Sequence, residues 1–425
     1  MRKSLFCCIL IMVLAAVLVA SLASCRGWFE PAPDRELFGD YEPLEWKDSY
    51  IFAATNYYPP QVQVWDTADG EVKFVRSYNL WVDKRDLTIW DLAVLDKILW
   101  ITAHGMQFNL IRVDLETGKT RFLDLDMNPH FVQAVPEGNG DRRCLVVSDY
   151  CHVREETAVC FINTDGEVIK RLSLPQKLYI NTPSDVVYQA GGYFLTGMSE
   201  KEYDLSNPPV ATDFQILNYN ASGQYASSLQ GAIPTQTPAI LEYIQKDASQ
   251  AEVSYRVTFN THLPGHPNAP VFVECGIITM GVSDFGRRFL LKCNSFNPPQ
   301  FEYMGIFQPA ARSIHSATQG GEKIFLTGRT LDINYSGLNG LETGVYPASG
   351  GSQLKRIEMP DGNQLHCTEL PECTWFSCNV WGTDKYGDFV DKGTIPRIYR
   401  LDYATESVTC YWADGRVEKM RELPG

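Results

Sequence analysis

Short runs of β-branched and aromatic residues, separated by polar turns, recur along most of the chain. Three clear copies of a run-turn-run unit cover residues 62–74, 110–122 and 159–169, and each turn contains Gly with Asn or Asp. Those residues supply the positive φ values that tight hairpin turns require. No long stretch has the 3.6-residue period of an amphipathic helix. The pattern therefore predicts an all-β chain.

The same unit returns in weaker form at residues 220–223, 294–299, 348–351 and 402–406. A second hairpin precedes most copies, for example at 92–101, 186–195 and 314–326. Two hairpins in series make a four-stranded antiparallel unit, and a spacing of about 40 to 55 residues is typical of β-propeller blades.

We therefore predict a single β-propeller over residues 43–425, with seven four-stranded antiparallel blades and six or eight as alternatives. The number of blades depends most on region 238–270, where the sequence has no clear turn between the last two strands of a blade. A set of separate β-sandwiches would also give short strands and is the rival architecture.

The turns at 66–70 and 114–118 follow the rhythm strand, Asp, three residues, Gly, strand, and in the second turn the residue before Gly is Thr117. In this they resemble the blade turn of PQQ-type and YVTN-type repeat propellers. The tryptophan that often closes a PQQ-type repeat is replaced by Phe74 and Phe122. The resemblance therefore implies the propeller fold and no quinone, and we expect no cofactor.

The N-terminus has the layout of a secretory signal peptide, with Arg2 and Lys3 before an uncharged run over 5–20. Residues 22–25, Leu-Ala-Ser-Cys, resemble the lipobox of bacterial lipoproteins. The resemblance implies that 1–24 are removed and that Cys25 is acylated, for example with palmitate. Residues 25–42, rich in Pro and charge, are predicted to be a flexible tether. An uncleaved membrane anchor is the alternative, because 16 to 20 apolar residues come close to the roughly 20 that span a bilayer.

Charge and cysteine content narrow the function classes. The chain has 51 acidic and 37 basic residues and a formal charge of −14. This composition argues against a basic surface for binding nucleic acid. Removing Cys7 and Cys8 with the signal peptide and acylating Cys25 leaves nine of the twelve cysteines, an odd number. At least one thiol is therefore not in an intramolecular disulfide. The predicted location is the cell envelope, on a lipid anchor.

Three long connections, at 199–212, 329–344 and 381–396, each follow the predicted second strand of a blade. Blade topology sends such loops to one face, and loops with their own aromatic and charged residues often bind ligands. Two histidines near equivalent loops are candidates for the central opening, since a near-neutral pKa suits ligand binding or acid–base chemistry. The predicted binding residues are Tyr203, Tyr335, Trp381, Tyr386, Asp384, Asp388, His104 and His152.

No metalloprotease helix motif and no nucleophile elbow is found, so we predict no catalytic residue. His366 with Cys367, Cys373 and Cys378 is too widely spaced for zinc, and the three acids at 384, 388 and 391 do not match an EF-hand loop, so no metal site is predicted. The sequence favours a binding or scaffold module for another envelope protein or ligand. The alternative is an extracytoplasmic hydrolase or lyase that acts on a sugar or lactone in the central channel.

Overall fold

The computed structural model describes residues 40–55, 60–80, 88–104, 110–125, 129–136, 142–148, 159–172, 178–179, 187–189, 192–199, 214–230, 253–260, 271–279, 288–296, 299–307, 311–320, 322–330, 341–347, 353–359, 363–379 and 395–423. All of them belong to one compact unit, Phe38–Gly425. In these ranges no helix is long and apolar enough to cross a membrane.

The described strands form seven antiparallel sheets, which follow one another in chain order and which we call blades 1 to 7. Blade 1 contains β1 (Tyr50–Thr55), β2 (Gln61–Asp66) and β3 (Lys73–Asn79), with a 3-10 turn at Ala68–Gly70. Blade 2 contains β4 (Thr88–Leu95), β5 (Ile98–His104), β6 (Leu110–Asp114) and β7 (Thr120–Leu123). Blade 3 contains β8 (Pro129–Pro136), β9 (Arg142–Ser148), β10 (Val159–Ile162) and β11 (Val168–Leu172).

Blade 4 begins with two short strands, β12 (Leu178–Tyr179) and β13 (Val187–Gln189), that pair with the same edge of the next strand. The blade continues with β14 (Gly192–Ser199), β15 (Phe214–Asn220) and β16 (Tyr225–Gln230). Blade 5 contains β17 (Val253–Asn260), β18 (Val271–Thr279), β19 (Arg288–Phe296) and β20 (Pro299–Phe307).

Blade 6 contains β21 (Ala311–Gly320), β22 (Lys323–Thr330), β23 (Leu341–Pro347) and β24 (Lys355–Met359). Blade 7 contains β25 (Asn363–Glu369), β26 (Cys373–Asn379), β27 (Arg397–Asp402) and β28 (Ser407–Trp412). The chain ends in β29 (Val417–Lys419), which pairs with β28, and β30 (Glu422–Leu423), which returns to pair with β24 of blade 6.

The blades close into a ring. The first strands of successive blades lie against one another from β4 to β8 and from β17 through β21 to β25, and β13 and β14 bridge the ring at blade 4. Finally β25 and β26 lie against β1, which joins blade 7 to blade 1. The predicted all-β propeller is confirmed, and the seven described sheets fit the predicted blade number.

Packing between neighbouring blades is apolar. Leu99 and Ile101 of blade 2 are fully buried against the face of blade 1 that carries Phe52 and Val64. On its other face, blade 2 packs Trp100 against blade 3. Because successive side chains of a strand point to opposite faces, each blade contributes one apolar set to each neighbour. Burying a side chain of this size contributes about 2 to 3 kcal/mol.

In blade 1 three strands are described, and they correspond to the second, third and fourth strands of the other blades. The turn at Asp66 joins β2 to β3, as the turn at Asp114 joins the third and fourth strands of blade 2. Opposite these turns, Tyr50 pairs with Asp66 and Ile98 pairs with Asp114, so β1 is equivalent to β5.

The residues that precede β1 pack against the ring. The described part of this segment starts at Asp40, so it includes the last residues of the predicted tether. The Tyr41 N–H donates to the Gly118 carbonyl at 2.8 Å, and the Leu44 N–H donates to the Leu115 carbonyl at 2.7 Å. Arg76 of β3 donates to the Glu42 carbonyl at 2.7 Å. Residues 40–46 therefore lie between blades 1 and 2.

Candidate functional site

The connections from second to third strands emerge at one end of the sheets, which we call the loop face. Among the described strands, the face is marked by the last residues of β5, β9, β14, β22 and β26, namely His104, Ser148, Ser199, Thr330 and Asn379. The third-to-fourth strand turns lie at the opposite end, because the strands are antiparallel. The three long loops predicted from sequence all belong to the loop face.

Of the predicted binding residues, His104 is the last residue of β5 and so lies at the loop face. The others lie outside the described residues, although the strands around them place the loops: His152 between β9 and β10, Tyr203 between β14 and β15, Tyr335 between β22 and β23, and Trp381, Asp384, Tyr386 and Asp388 between β26 and β27. Whether these side chains cluster stays a prediction. Cys25 also lies outside the described residues.

The loop between β26 and β27 rejoins blade 7 at a group of packed side chains. Where it rejoins blade 7, the Pro396 carbonyl accepts a hydrogen bond from the Ala413 N–H at 2.8 Å. Next to it, the guanidinium of Arg397 lies 4.8 Å from the centre of the Trp412 ring, and that of Arg416 lies 4.4 Å from the same ring. The start of β27, where the loop rejoins blade 7, therefore lies beside a tryptophan ring that two arginines contact.

The arginine–tryptophan stack, defined by Arg397, Trp412 and Arg416, brings positive charge to the loop that carries Asp384 and Asp388 in the sequence. Arg416 also forms an ion pair with Asp414 at 2.8 Å. Arginine on an aromatic face keeps its donors available in a fixed plane. Sequence reasoning missed this stack, because its members come from two strands and a turn that only the fold brings together.

The first strands carry bulges close to the loop face. In β4, β8 and β25, the register shifts across Trp90, His130 and Leu365, and in β21 it shifts across Arg312 and His315. Bulges insert an unpaired residue and re-aim the strand at rims and sites. In β8 and β21 the bulged residues include a histidine, His130 and His315, and sequence reasoning singled out neither of them.

The bulge in β4 is fixed by hydrogen bonds to a carboxylate. Asp91 accepts from the Leu92 N–H at 2.8 Å and, across the blade boundary, from the Val132 N–H of β8 at 3.2 Å. The hydroxyl of Thr102 donates to the Asp91 carbonyl at 3.3 Å. These bonds join the inner strands of blades 2 and 3.

Buried cysteines contribute packing rather than chemistry in the described part of the chain. Burial raises the pKa of Cys160 to about 11 and that of Cys410 to about 11, so both are neutral thiols at physiological pH. Cys373 is a free buried thiol as well. Within the described residues, no three His, Cys, Asp or Glu side chains are grouped closely enough to hold a metal ion.

No protein-family model and no curated protein sequence matches the chain. Among solved structures, it is similar to virginiamycin B lyase from Staphylococcus aureus, at 13% identity and a TM-score of 0.41 over 78% of this chain and 92% of that one. It is also similar to the WD40 domain of Pan2 from Neurospora crassa, at 10% identity and a TM-score of 0.45 over 81% and 88%. The Dos1 propeller matches at 11% identity and a TM-score of 0.36 over 79% and 83%. Because these TM-scores are all below 0.5, the assignment of a propeller is based on the strand pairing and blade contacts of this chain.

Proposed function

We propose that this chain is a lipid-anchored β-propeller that binds another protein of the cell envelope through its loop face. The observation that carries the proposal is topological: the long connections with aromatic and acidic residues all join second to third strands. A rigid ring with its longest loops at one end is the arrangement that binding proteins use. The propeller fold supports the coarser part of the proposal, a module for binding or scaffolding.

The composition of the loops supports a protein partner. Tyr and Trp give large contact area for little lost side-chain entropy, which is why they dominate binding hot spots. The arginine–tryptophan stack adds a pre-formed anchor at the base of the loop that carries Trp381 and Tyr386. Acidic residues in the same loops, on a chain of charge −14, would steer a partner with a basic surface.

The test replaces Trp381 and Tyr386 together by Ala and measures partner capture from envelope extracts and thermal stability of the mature protein. We expect capture to fall at least about tenfold with an unchanged melting temperature, since hot-spot aromatics are worth about 2 kcal/mol or more each. Capture should weaken as salt rises.

The matched control is Tyr225→Ala, which removes a partly exposed tyrosine at the start of β16, at the opposite end of the sheets. Capture by this control should equal that of the wild type. A large drop in melting temperature with intact capture in the double variant would mean that Trp381 and Tyr386 belong to the core, and the proposal would then be wrong.

A second candidate is the hydrolase or lyase acting on a sugar or lactone in the central channel. The observation that favours it is the pair of bulges at His130 and His315, both in first strands of blades. The test is to assay lactone and glycoside turnover with the wild type and with a His130→Gln, His315→Gln double variant. Turnover that the double variant abolishes would support this candidate, and no turnover by the wild type would reject it.

A further inference from the structure

The chain joins the ring at the end of the sheets opposite the loop face. We call this end the turn face, because the third-to-fourth strand turns lie there. The side chain of Asp40 accepts a hydrogen bond from the Thr120 N–H at 3.1 Å, just after the turn between β6 and β7. The Tyr41 N–H donates to the Gly118 carbonyl of the same turn at 2.8 Å. The segment therefore begins at the turn face of blade 2.

From there the segment runs along the turn face to blade 1. The Leu44 N–H donates to the Leu115 carbonyl at 2.7 Å, and the Leu44 side chain is buried in the cluster between blades 1 and 2. Farther on, Thr67 of the turn between β2 and β3 donates to the Ser49 carbonyl through its N–H at 3.1 Å and through its hydroxyl at 2.8 Å. Because backbone bonds and an apolar anchor hold the segment at both turns, its point of attachment is fixed to this face.

The predicted tether is short compared with the blades. Fifteen peptide bonds separate Cys25 from Asp40. A flexible chain of this length has a root-mean-square end-to-end distance of about 20 Å, whereas the eight residues of β4 span about 26 Å. To bring the loop face onto the anchoring membrane, the tether would have to pass the blades and stretch toward its full extension of about 50 Å. The orientation with the turn face toward the membrane requires no such stretching.

The charge of the long loops acts in the same direction. Loops 199–212, 329–344 and 381–396 together contain eight acidic and four basic residues. Anionic lipid headgroups attract basic segments and repel acidic ones. Electrostatic repulsion therefore disfavours contact between the loop face and an anionic membrane.

We propose that the anchored ring is held with its turn face toward the membrane and its loop face toward the aqueous compartment. The loop face then takes a water-soluble protein, or a soluble domain, with a basic surface, and does not bind lipid. This inference rests on the proposed function and names the side from which its partner approaches.

The test measures which face lies nearer to the lipid. The acylated protein is placed on vesicles of phosphatidylethanolamine and phosphatidylglycerol that contain a lipid with a nitroxide headgroup. A fluorescent amino acid replaces either Ala404 in the turn after β27 or Ile395 just before β27, both of which are exposed. Quenching at position 404 should exceed that at 395 by at least about twofold, because the six residues of β27 separate the two positions by about 20 Å.

A longer tether is the control for the cause of the orientation. Insertion of about 20 Gly and Ser residues after Asp34 should make quenching at the two positions equal, since a longer flexible tether no longer restricts the ring. A difference that persists at full size would mean that the turn face itself adheres to lipid, and the tether-based proposal would be wrong. With Cys25→Ala, neither position should be quenched.

Equal quenching at the two positions with the natural tether would also overturn the proposal. Stronger quenching at 395 would overturn it too and would identify the membrane surface as the ligand of the loop face. If the wild type does not associate with the vesicles at all, the lipid anchor of the proposed function fails, and the inference fails with it. Vesicle association therefore distinguishes failure of the anchor from failure of the orientation.

Discussion

Single polar residues fix the hairpin turns from which the repeat is built. Asp114 accepts from the Thr117 N–H at 3.0 Å, and Asp402 accepts from the Thr405 N–H at 2.8 Å. Asn163 does the same for the N–H of Asp165 at 3.1 Å. A short side chain that bonds the backbone two or three residues on stabilises the turn locally. This is why Asp or Asn opens most copies of the repeat in the sequence.

Glycine at the end of the same turn has two different roles, which a pair of substitutions separates. Gly70 and Gly118 have φ of 75° and 73°, but an added Cβ meets nothing within 4 Å at Gly70 and overlaps the Tyr41 carbonyl oxygen at Gly118. We expect Gly70→Ala to cost about 1 kcal/mol, the strain of a positive φ. Gly118→Ala should cost about 2 kcal/mol more, because it also displaces residues 40–46. Urea unfolding measures both, and equal costs would contradict the packing described for Tyr41.

Asp66 should make stability depend on acid pH. Hydrogen bonds from Lys47, Ser49 and the Ala68 N–H lower the pKa of this carboxyl to about 2 in the folded protein. In the unfolded chain its pKa is about 3.9. The folded state therefore favours ionised Asp66, and this contribution is complete above about pH 4 and is lost as pH falls toward 2.

The measurement compares the unfolding free energy of the wild type and Asp66→Asn between pH 6 and pH 2. The difference in unfolding free energy between the two proteins should shrink as the pH falls from about 4 to 2. Lys47→Met, which leaves the Ser49 and Ala68 donors in place, should show a smaller pH-dependent change. A difference that is constant with pH would show that Asp66 is not held in this network.

At the scale of elements, the two ends of the described part of the chain tie blades together from outside. Residues 40–46 connect blades 1 and 2, whereas β29 and β30 connect blades 7 and 6. An ion pair between Lys355 and Glu422 at 2.6 Å fixes the second tie, and Met420 packs against the cluster between those blades. Neither tie crosses from blade 7 to blade 1.

Truncation after Arg416 should therefore lower the unfolding free energy by about 3 kcal/mol, from the lost burial of Met420 and several hydrogen bonds. Amide exchange should rise in β24 and β28 and stay unchanged in β4 to β7, because only blades 6 and 7 lose a strand. Removal of residues 424–425 alone is the control and should change neither quantity. Uniformly faster exchange around the ring would show that the tie acts globally.

For the whole molecule, closure of the ring depends on side-chain packing between the first and last blades. Ile51, Ala53 and Trp65 of blade 1 form one cluster with Trp375 and Ile398 of blade 7. In the described part of the chain, no strand is shared between these two blades. At this boundary, closure of the ring therefore depends on side-chain packing and not on a ladder of backbone hydrogen bonds between described strands.

Attachment to a membrane is the second prediction at the scale of the whole molecule. We predict that Cys25→Ala abolishes acylation and leaves the protein soluble or unprocessed, since a lipobox, which residues 22–25 resemble, is acylated at its cysteine. Incorporation of labelled fatty acid and membrane fractionation measure this outcome. Cys160→Ala, at a buried free thiol in the ring, is the control and should incorporate label normally. Unchanged labelling of Cys25→Ala would contradict the lipoprotein interpretation.

Much of the fold could be predicted from the sequence, and much less of the candidate site. Periodic runs and the turns at Asp66, Asp114 and Asn163 are local features, so their strands were found with correct pairing. The arginine–tryptophan stack was not predicted, since Arg397 and Trp412 meet only when β27 pairs with β28.

The sequence by itself determined the class of the fold, the number of hairpin repeats and the end of the sheets at which the long loops emerge, because alternation and turn chemistry act between residues close in the chain. Only the tertiary structure decided how the ring closes, which polar groups are left unpaired at Thr55, Gln63 and Ser377, and where residues 40–46 pack. Those properties depend on which faces meet, and a one-residue change in register reverses every face of a strand.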